Sequence, residues 1–287
     1  MRKHLLLLIS LSLFGFSLCA QQGNEPKMKK FKISDFQFAG YFTTYSPQLV
    51  DYQTIFSLAA NPTEIQLPSN IDDYTRRANS QEGSQGSATI MASFAINPFN
   101  KKKGEYIERQ IWRFGLGYRD INTYESSYNI SIPTAVDTVS ESRDYFVNAG
   151  QSALAIETSY TFSTDATRPV KAYIGFGVQA GFTIGSNLEV NSNTNFITKL
   201  PGGGSETTFT PNNFIVKGKN AMNYSVFIPA GAHIRVRKNL GVITEVRYAF
   251  TSNSSSGGGP SFTRPEIYAG VGLRFTIGAF EDSNTDQ

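Results

Sequence analysis

The stretch Ile267-Tyr268-Ala269-Gly270-Val271-Gly272-Leu273-Arg274-Phe275-Thr276-Ile277-Gly278 alternates apolar residues with polar residues or glycine. Every second position from Ile267 to Ile277 is apolar. Successive side chains of a β-strand point to opposite faces, so this period of two predicts a strand with one apolar and one polar face. Such a strand either packs its apolar face against a second layer, as in a soluble β-sandwich, or turns that face towards lipid.

Seven further segments show the same alternation, and each reaches the roughly 9–11 residues that a tilted strand needs to cross a bilayer. They are Phe31–Tyr45, Ser87–Asn97, Tyr106–Ile121, Arg143–Phe162, Val170–Ile184, Ala221–Val236 and Leu240–Phe250. Pro229 interrupts one of them, and because proline cannot donate to a strand ladder we predict a bulge or a local kink there. The sequence therefore predicts about eight strands.

The connections between these segments alternate in length. The long ones are Ser46–Gly86, Asn122–Ser142, Gly185–Asn220 and Thr251–Glu266, and the short ones are Pro98–Glu105, Ser163–Pro169 and Arg237–Asn239. Short turns at one rim and long loops at the other are typical of outer-membrane barrels, whereas a β-sandwich gives no reason for this alternation. With an even number of strands, both termini lie on the periplasmic side.

Charge separates between the two faces of the predicted strands. The apolar faces hold no charged residue at central positions, where a basic side chain exposed to lipid would cost about 2–4 kcal/mol. The polar faces hold Asp35, Arg113, Arg119, Glu157, Lys171, His233, Arg235, Glu245, Arg247 and Arg274. The prediction is an all-β fold: one eight-stranded antiparallel up-and-down transmembrane β-barrel spanning residues 31–278, with these side chains in its lumen.

The N-terminus reads as a secretory signal peptide spanning residues 1–20. Arg2 and Lys3 precede an apolar segment too short to span a membrane as a helix, and Ala20 is a candidate cleavage site. Removal of Arg2 and Lys3 with the signal peptide would lower the formal net charge from +3 to +1. Cys19, the only cysteine, could alternatively be lipidated, but Leu18 before it is larger than a lipidation site prefers. Residues 21–30 are predicted to be a periplasmic segment and residues 279–287 an acidic periplasmic tail.

The chain resembles the outer membrane protein β-barrel domain family, the small barrels similar in architecture to the OmpA and OmpX transmembrane domains. The resemblance is carried by Tyr173–Gly181, by Asn239–Tyr248 and by the strand quoted first. It implies insertion by the barrel assembly machinery, whose signal of a glycine followed by apolar residues fits Gly270, Leu273 and Phe275. It also implies surroundings of outer-membrane lipid and lipopolysaccharide. The tail is too short to be a peptidoglycan-binding domain.

The charged side chains of the lumen could form either a structural network or a path for solutes. An eight-stranded barrel leaves an interior that side chains fill, which favours the structural network. Glu157 with Arg113, and Glu245 with Arg274, are predicted neighbours across adjacent strands.

His233, the one histidine after the signal peptide, could act as a base, but no Gly-x-Ser-x-Gly elbow or paired acid accompanies it. A hydrogen-bonded lumen histidine is therefore favoured over catalysis.

Other motifs predict neither a cofactor nor a metal site. No Cys/His cluster suits zinc, and the glycine runs 202–204 and 257–259 lack the residues of a phosphate loop. The run Lys101-Lys102-Lys103 is too short for a nucleic-acid site. Aromatic residues near strand ends are predicted to anchor the barrel at the membrane interfaces, and these are Trp112, Tyr118, Tyr160, Tyr248 and Phe250.

Two long loops, Ser46–Gly86 and Gly185–Asn220, are too apolar to be wholly solvated. Their residues could extend the strands above the membrane, pack over the barrel mouth or dock a protein partner. The leading hypothesis is a non-enzymatic outer-membrane protein, either structural or adhesive, or a subunit of a larger envelope assembly. A small pore and a lipid-modifying enzyme are the alternatives.

Overall fold

A computed structural model describes residues 31–65, 68, 70–77, 85–103, 105–133, 139–164, 169–200, 203–237, 239–256 and 260–277. The predicted signal peptide, the N-terminal segment and the acidic tail lie outside the described residues. No helix in the described ranges is both long and apolar enough to span a membrane.

Twelve strands make up almost all of the described structure. They are β1 (Phe31–Tyr45), β2 (Gln48–Leu49), β3 (Thr75–Arg76), β4 (Gln85–Asn100), β5 (Glu105–Tyr106), β6 (Gln110–Pro133), β7 (Val139–Ser163), β8 (Val170–Lys199), β9 (Ser205–Lys217), β10 (Ala221–Arg237), β11 (Leu240–Ser255) and β12 (Ser261–Thr276). The one α-helix within the described ranges, α1 (Tyr52–Ser57), lies between β1 and β4, as do two single-turn 3₁₀ helices, Pro62–Glu64 and Ile71–Asp73.

Eight of the strands form a closed antiparallel ring. The order is β6, β7, β8, β10, β11, β12, β1 and β4, and β4 pairs back onto β6. β12, the strand quoted first, closes the ring onto β1, with Leu273 opposite Phe38. Closure leaves no unpaired edge within the ring, as a sheet in lipid requires. The predicted eight-stranded up-and-down barrel is confirmed.

The strand alternation sets the two surfaces of the ring. Side chains such as Phe38, Ile174 and Val271 are exposed on the outer surface, while Tyr41 and Glu245 are buried inside. Apolar residues dominate the outer surface because lipid, unlike water, cannot satisfy polar groups there. The barrel thus has an apolar exterior and a polar interior.

β6 and β8 are far longer than predicted, and β7 extends four residues before and one residue after its predicted bounds. β6, β7 and β8 have 24, 25 and 30 residues, so each continues well beyond the ring. Most residues of the predicted connections 122–142 and 185–220 therefore lie in strands. β9 and β10 pair with the same edge of β8, and the register does not shift between them. Lys217 of β9 pairs with Asn187, and Met222 of β10 pairs with Phe182.

We call the part beyond the ring the crown. It comprises residues 124–133, 139–149, 186–199 and 205–217, together with the described residues of 46–77. It stands at the rim with the long connections, which in outer-membrane barrels is the extracellular rim. The rim with the short turns is accordingly periplasmic.

Two β-bulges separate the crown from the ring. In β6, Asn122 pairs with Gly150 and Tyr124 with Ala149, so Thr123 is an extra residue. In β8, Ala153 faces Thr183 and Ser152 faces Gly185, so Ile184 is an extra residue. Each bulge moves the following even-numbered residues from the outer to the inner face.

Of the bulge or local kink predicted at Pro229, the bulge is absent. The pairing of β10 with β8 stops after Phe227 opposite Gly177 and resumes at Ala230 opposite Ile174 in the same register. Against β11, Pro229 pairs regularly with Arg247. The missing N–H group therefore interrupts one ladder locally without shifting it.

The crown has a hydrophobic core of its own. Its central buried residues include Ile55, Leu58, Tyr124, Val147 and Leu188, which come from the β1–β4 connection and the inner faces of β6, β7 and β8. β2 and β3 pair with β6 and hold that connection in place. Burial raises the pKa of Tyr145, whose side chain lies in the same core.

Candidate functional site

The middle of the barrel is filled by two arginines and two glutamates. Arg113 Nη1 lies 2.7 Å from Glu245 Oε2, and Arg247 Nη1 lies 2.5 Å from Glu157 Oε2. Arg247 Nε also donates to Glu245, and Arg113 Nε lies 4.0 Å from Glu157. The four charges balance, and each side chain is almost fully buried.

Two tyrosines complete this middle layer. The hydroxyls of Tyr41 and Tyr173 donate to Glu245 at 2.9 and 2.5 Å. Glu245 thus accepts from two tyrosines and two arginines, and it is the centre of the network. Neither tyrosine was among the predicted site residues, although both occupy inward positions of predicted strands.

The upper layer of the interior surrounds a second carboxylate, Glu266. Arg119 Nη1 lies 3.2 Å and Arg264 Nε 3.0 Å from its oxygens, while Thr251 and Tyr268 donate to it at 2.7 Å. From the sequence, Arg264 and Glu266 are expected in the connection 251–266. The alternation of β12 extends back to them, which is the signal that could have identified both.

The lower layer lies at the periplasmic end. Arg274 Nη2 donates to Asp35 at 2.8 Å, and Arg274 Nη1 lies 3.0 Å from Nδ1 of His233. The His233 ring stacks on Tyr173, with 4.5 Å between centroids. His233 is therefore a buried, partnered lumen side chain, and no nucleophile is hydrogen-bonded to it in the described residues.

The structure brings together seven of the ten predicted lumen residues as buried side chains, and an eighth, Arg274, is partly buried beside them. Lys171 faces inward but is half-buried, and Arg235 is exposed at the periplasmic end of β10. Arg235 is thus outside the buried network, because the strand has reached the mouth at that point.

Of the two predicted ion pairs, one is present and one is wrong. Arg113 Nε and Glu157 Oε1 lie 4.0 Å apart. Glu245 does not meet Arg274, because the β11–β12 register places Gly270 opposite Glu245 and Gly241 opposite Arg274. Alternation along the strands alone could not supply this β11–β12 register.

The extracellular mouth is covered by the crown. The hydroxyl of Tyr124 donates to the Pro260 carbonyl at 2.6 Å, and Arg264 Nη1 donates to the carbonyls of Ser46 and Asn122. The Arg264 guanidinium also lies 4.2 Å from the centre of the Tyr45 ring. The long connection after β1 thereby packs over the mouth while β6 to β9 extend above the ring.

The predicted interface aromatics lie on the outer surface. Trp112 contacts Tyr160 at 4.8 Å between ring centroids, and Tyr248 contacts Phe250 at 5.2 Å. Tyr118 donates to Asp120 at 2.8 Å near the upper end of the ring. Their placement fits rings that anchor a barrel at the edges of the apolar zone.

The remaining motifs carry no built site in the described residues. The described acidic and histidine side chains form no group of three that could hold a metal ion. Gly203, with φ of 94°, forms the turn between β8 and β9, and residues 257–259 lie outside the described ranges. Lys101, Lys102 and Lys103 are exposed in a turn.

Comparison with protein-family models gives no match, and comparison with curated proteins gives none either. Among solved structures, Neisserial surface protein A is 14% identical over 87% of this chain and 100% of its own, with a TM-score of 0.36. Ail, the attachment invasion locus protein of Yersinia pestis, is 11% identical over 85% of this chain and 100% of its own, with a TM-score of 0.28.

The translocator domain of the autotransporter NalP from Neisseria meningitidis is 9% identical over 93% of this chain and 94% of its own, with a TM-score of 0.21. These values are low, so the assignment comes from the geometry of the chain itself. A closed antiparallel ring with an apolar outer surface and a buried ionic interior is built to reside in a bilayer. The chain is an outer-membrane β-barrel protein.

Proposed function

We propose that this barrel neither conducts solutes nor catalyses a reaction, and that it displays the crown outside the cell as a structural or adhesive surface, or as a subunit of a larger envelope assembly. The covered extracellular mouth carries this proposal. The connection after β1 packs into the crown core, and Arg264 hydrogen-bonds it to the rim.

The interior supports a non-conducting barrel. Glu157, Glu245, Arg113 and Arg247 are all buried and cross-linked to each other. A solute path would require these ion pairs to separate, and separating buried charges is costly. His233 has Arg274 as its hydrogen-bond partner rather than a nucleophile or a second acid, which supports a non-catalytic role.

Conductance tests the closed interior. The purified protein in a planar bilayer should give no steady single-channel steps. The double variant Glu245→Ala/Arg247→Ala removes the centre of the middle layer and serves as a control with a less filled interior. Regular steps from the unaltered protein would contradict the proposal.

Display of the crown needs a separate test. The β8–β9 hairpin can be shortened by joining Asn191 to its partner Asn213 through an Asn-Gly turn, which preserves the register below it. A protein co-purifying in mild detergent with the full chain, but not with this variant, would support docking at the crown. Equal recovery with both would count against it.

The remaining partners belong to the same proposal. Outer-membrane lipid and lipopolysaccharide would surround the apolar exterior, and the barrel assembly machinery would recognise the β12 signal during insertion. The described periplasmic and extracellular rims present no long basic run, so nucleic acid is not among the proposed partners.

A further inference from the structure

Four nitrogen-bearing side chains face inward at the periplasmic mouth. They are Lys171 on β8, His233 and Arg235 on β10, and Arg274 on β12. His233 pairs in register with Lys171. Gly241 of β11 is opposite both Arg235 and Arg274, so β11 places no side chain between them. We call these four residues the basic mouth.

The basic mouth has more positive than negative charge. Asp35 neutralises Arg274 through the 2.8 Å ion pair. Lys171 and Arg235 make no ion pair with any described residue, although the field of Glu108, in the exposed turn before β6, also reaches Lys171. Two cations therefore remain without an anionic partner in the described part of the mouth.

Two buried N–H groups at the same place have no acceptor among the described residues. A guanidinium can only donate, so the contact of Arg274 Nη1 with His233 Nδ1 makes Nδ1 the acceptor and leaves the proton on Nε2. Nε2 of His233 and Nε of Arg274 are both buried without a partner. Buried donors normally find an acceptor, and together with the excess charge they suit a carboxylate or a phosphate.

The chain itself carries carboxylates next to this mouth. Residues 279–287 include Glu281, Asp282 and Asp286 and no basic residue. The N–H of Ile277 donates to the Ser34 carbonyl at 2.9 Å, so the chain leaves β12 beside Asp35.

The reach is sufficient. Lys171 lies three strand spacings from β12, which is about 14 Å at 4.8 Å per spacing. Four extended residues from Ile277 to Glu281 also span about 14 Å. Arg235 lies one strand nearer.

We propose that the acidic tail, residues 279–287, binds back onto the basic mouth, where its carboxylates accept from His233 and Arg274 and neutralise Lys171 and Arg235. This contact lies at the periplasmic end of the barrel, opposite the crown. It goes beyond the proposed function, since a displayed crown does not require it.

Carbodiimide cross-linking tests the contact, because it joins a lysine amine to a carboxylate only when the two touch. The mature protein in phosphatidylcholine nanodiscs should give a peptide linking Lys171 to Glu281, Asp282 or Asp286. Its yield should exceed that of links from the tail to Lys101, Lys102 and Lys103, which are exposed on the same rim. The yield should fall several-fold in 0.5 M salt.

Matched variants separate a specific contact from chance encounter. Lys171→Arg keeps the charge and removes the reactive amine, so this link alone should vanish. Arg235→Ala should lower the Lys171 link several-fold. Tail links spread evenly over all rim lysines, or a Lys171 link insensitive to salt and to Arg235→Ala, would overturn the proposal. Loss of the link when phosphatidylglycerol is added would instead assign the mouth to lipid phosphate, and would also overturn it.

Discussion

The barrel and the crown share the strands β6, β7 and β8 but have opposite polarity. In the barrel, β6 turns Arg113 and Arg119 inward and Phe114 outward. In the crown, the same strand turns Tyr124 and Tyr128 into a buried apolar core. One region is designed for lipid and the other for water, and the chain passes between them within two residues.

The bulges at Thr123 and Ile184 make this inversion possible. On β6 and β8 most apolar residues stay at even positions on both sides of the bulge, and the extra residue moves them from the outer to the inner face. β7 has no extra residue, and there the apolar positions change from even, as at Ile156, to odd, as at Val147. An inversion of polarity can therefore be produced by backbone geometry or by sequence.

Deletion of Thr123 should have the largest effect on the contrast in polarity between barrel and crown. Removing the extra residue should turn Tyr124 and Tyr128 out of the crown core, at roughly 3–5 kcal/mol for each aromatic side chain lost from a core. Hydrogen exchange should show loss of protection in residues 124–133 and 139–149, with β11 and β12 unaffected.

Thr123→Ala is the matched control for this deletion. It keeps the bulge and removes only the hydroxyl, which donates to the Ala149 carbonyl at 3.1 Å. Its crown should remain protected. If the deletion left crown protection at the level of Thr123→Ala, the bulge would not be what places the tyrosines.

The inversion also explains which parts of the fold were predictable. The eight barrel strands were identified because lipid demands a continuous apolar outer face, and segments such as Val170–Ile184 display it without a break. Beyond Ile184, β8 continues with Asn191, Asn193 and Asn195, whose polarity resembles that of a loop. The sequence therefore predicts most of the crown part of β7 but neither the crown parts of β6 and β8 nor the strand β9.

The interior shows a similar division. Its charged residues were predictable by face, since Glu157 and Arg247 stand at inward positions of alternating strands. Their partners were not, because pairing across the lumen depends on strand register. A shift of four residues along β12 decides whether Arg274 meets Glu245 or Asp35.

The second effect concerns the barrel alone. Glu245→Gln removes the charge that two arginines and two tyrosines share, leaving Arg113 and Arg247 with Glu157 only. Breaking a buried ionic network by removing one partner costs about 3–5 kcal/mol. Urea unfolding in detergent micelles, followed by fluorescence of Trp112, the one tryptophan, should show this loss.

Two further variants interpret that loss. Glu206→Gln alters an exposed carboxylate of the crown and should leave the Trp112 transition unchanged. Glu245→Gln/Arg113→Gln restores the balance of charge and should recover part of the stability. A single variant as stable as the unaltered protein would mean that the middle layer is not a coupled network.

The third effect concerns the crown alone. Ile55→Ala removes a fully buried side chain from the crown core and should cost about 2–5 kcal/mol. Trypsin cleavage at Arg76 or Arg77 should become faster, while the Trp112 transition stays in place. Ile215→Ala, at a side chain that is 67% exposed, should change neither. A shifted Trp112 transition in Ile55→Ala would show that crown and barrel unfold together.

The smallest effect is a pH dependence confined to the crown. Asp51 caps α1 by accepting from the backbone N–H of Thr54 at 2.6 Å, and this hydrogen bond lowers the pKa of the carboxyl. A lowered folded-state pKa means that the stabilisation is complete above the unfolded value, near 4, and is lost as pH falls through the folded value. Asp51→Ala should therefore weaken the crown at pH 7 by about 0.5–2 kcal/mol, and by less at pH 3.

Asp51→Asn separates the cap from its charge. Asparagine also caps helices, so this variant should keep most of the stability at pH 7 and lose the pH dependence. Urea unfolding of the crown, followed by near-ultraviolet circular dichroism of its tyrosines at the two pH values, measures both effects. An Asp51→Ala penalty equal at pH 7 and pH 3 would show that the ionised carboxylate adds nothing to the cap. The cap of α1 would then depend on its hydrogen bond and not on charge, in contrast to the ion pairs of the barrel interior.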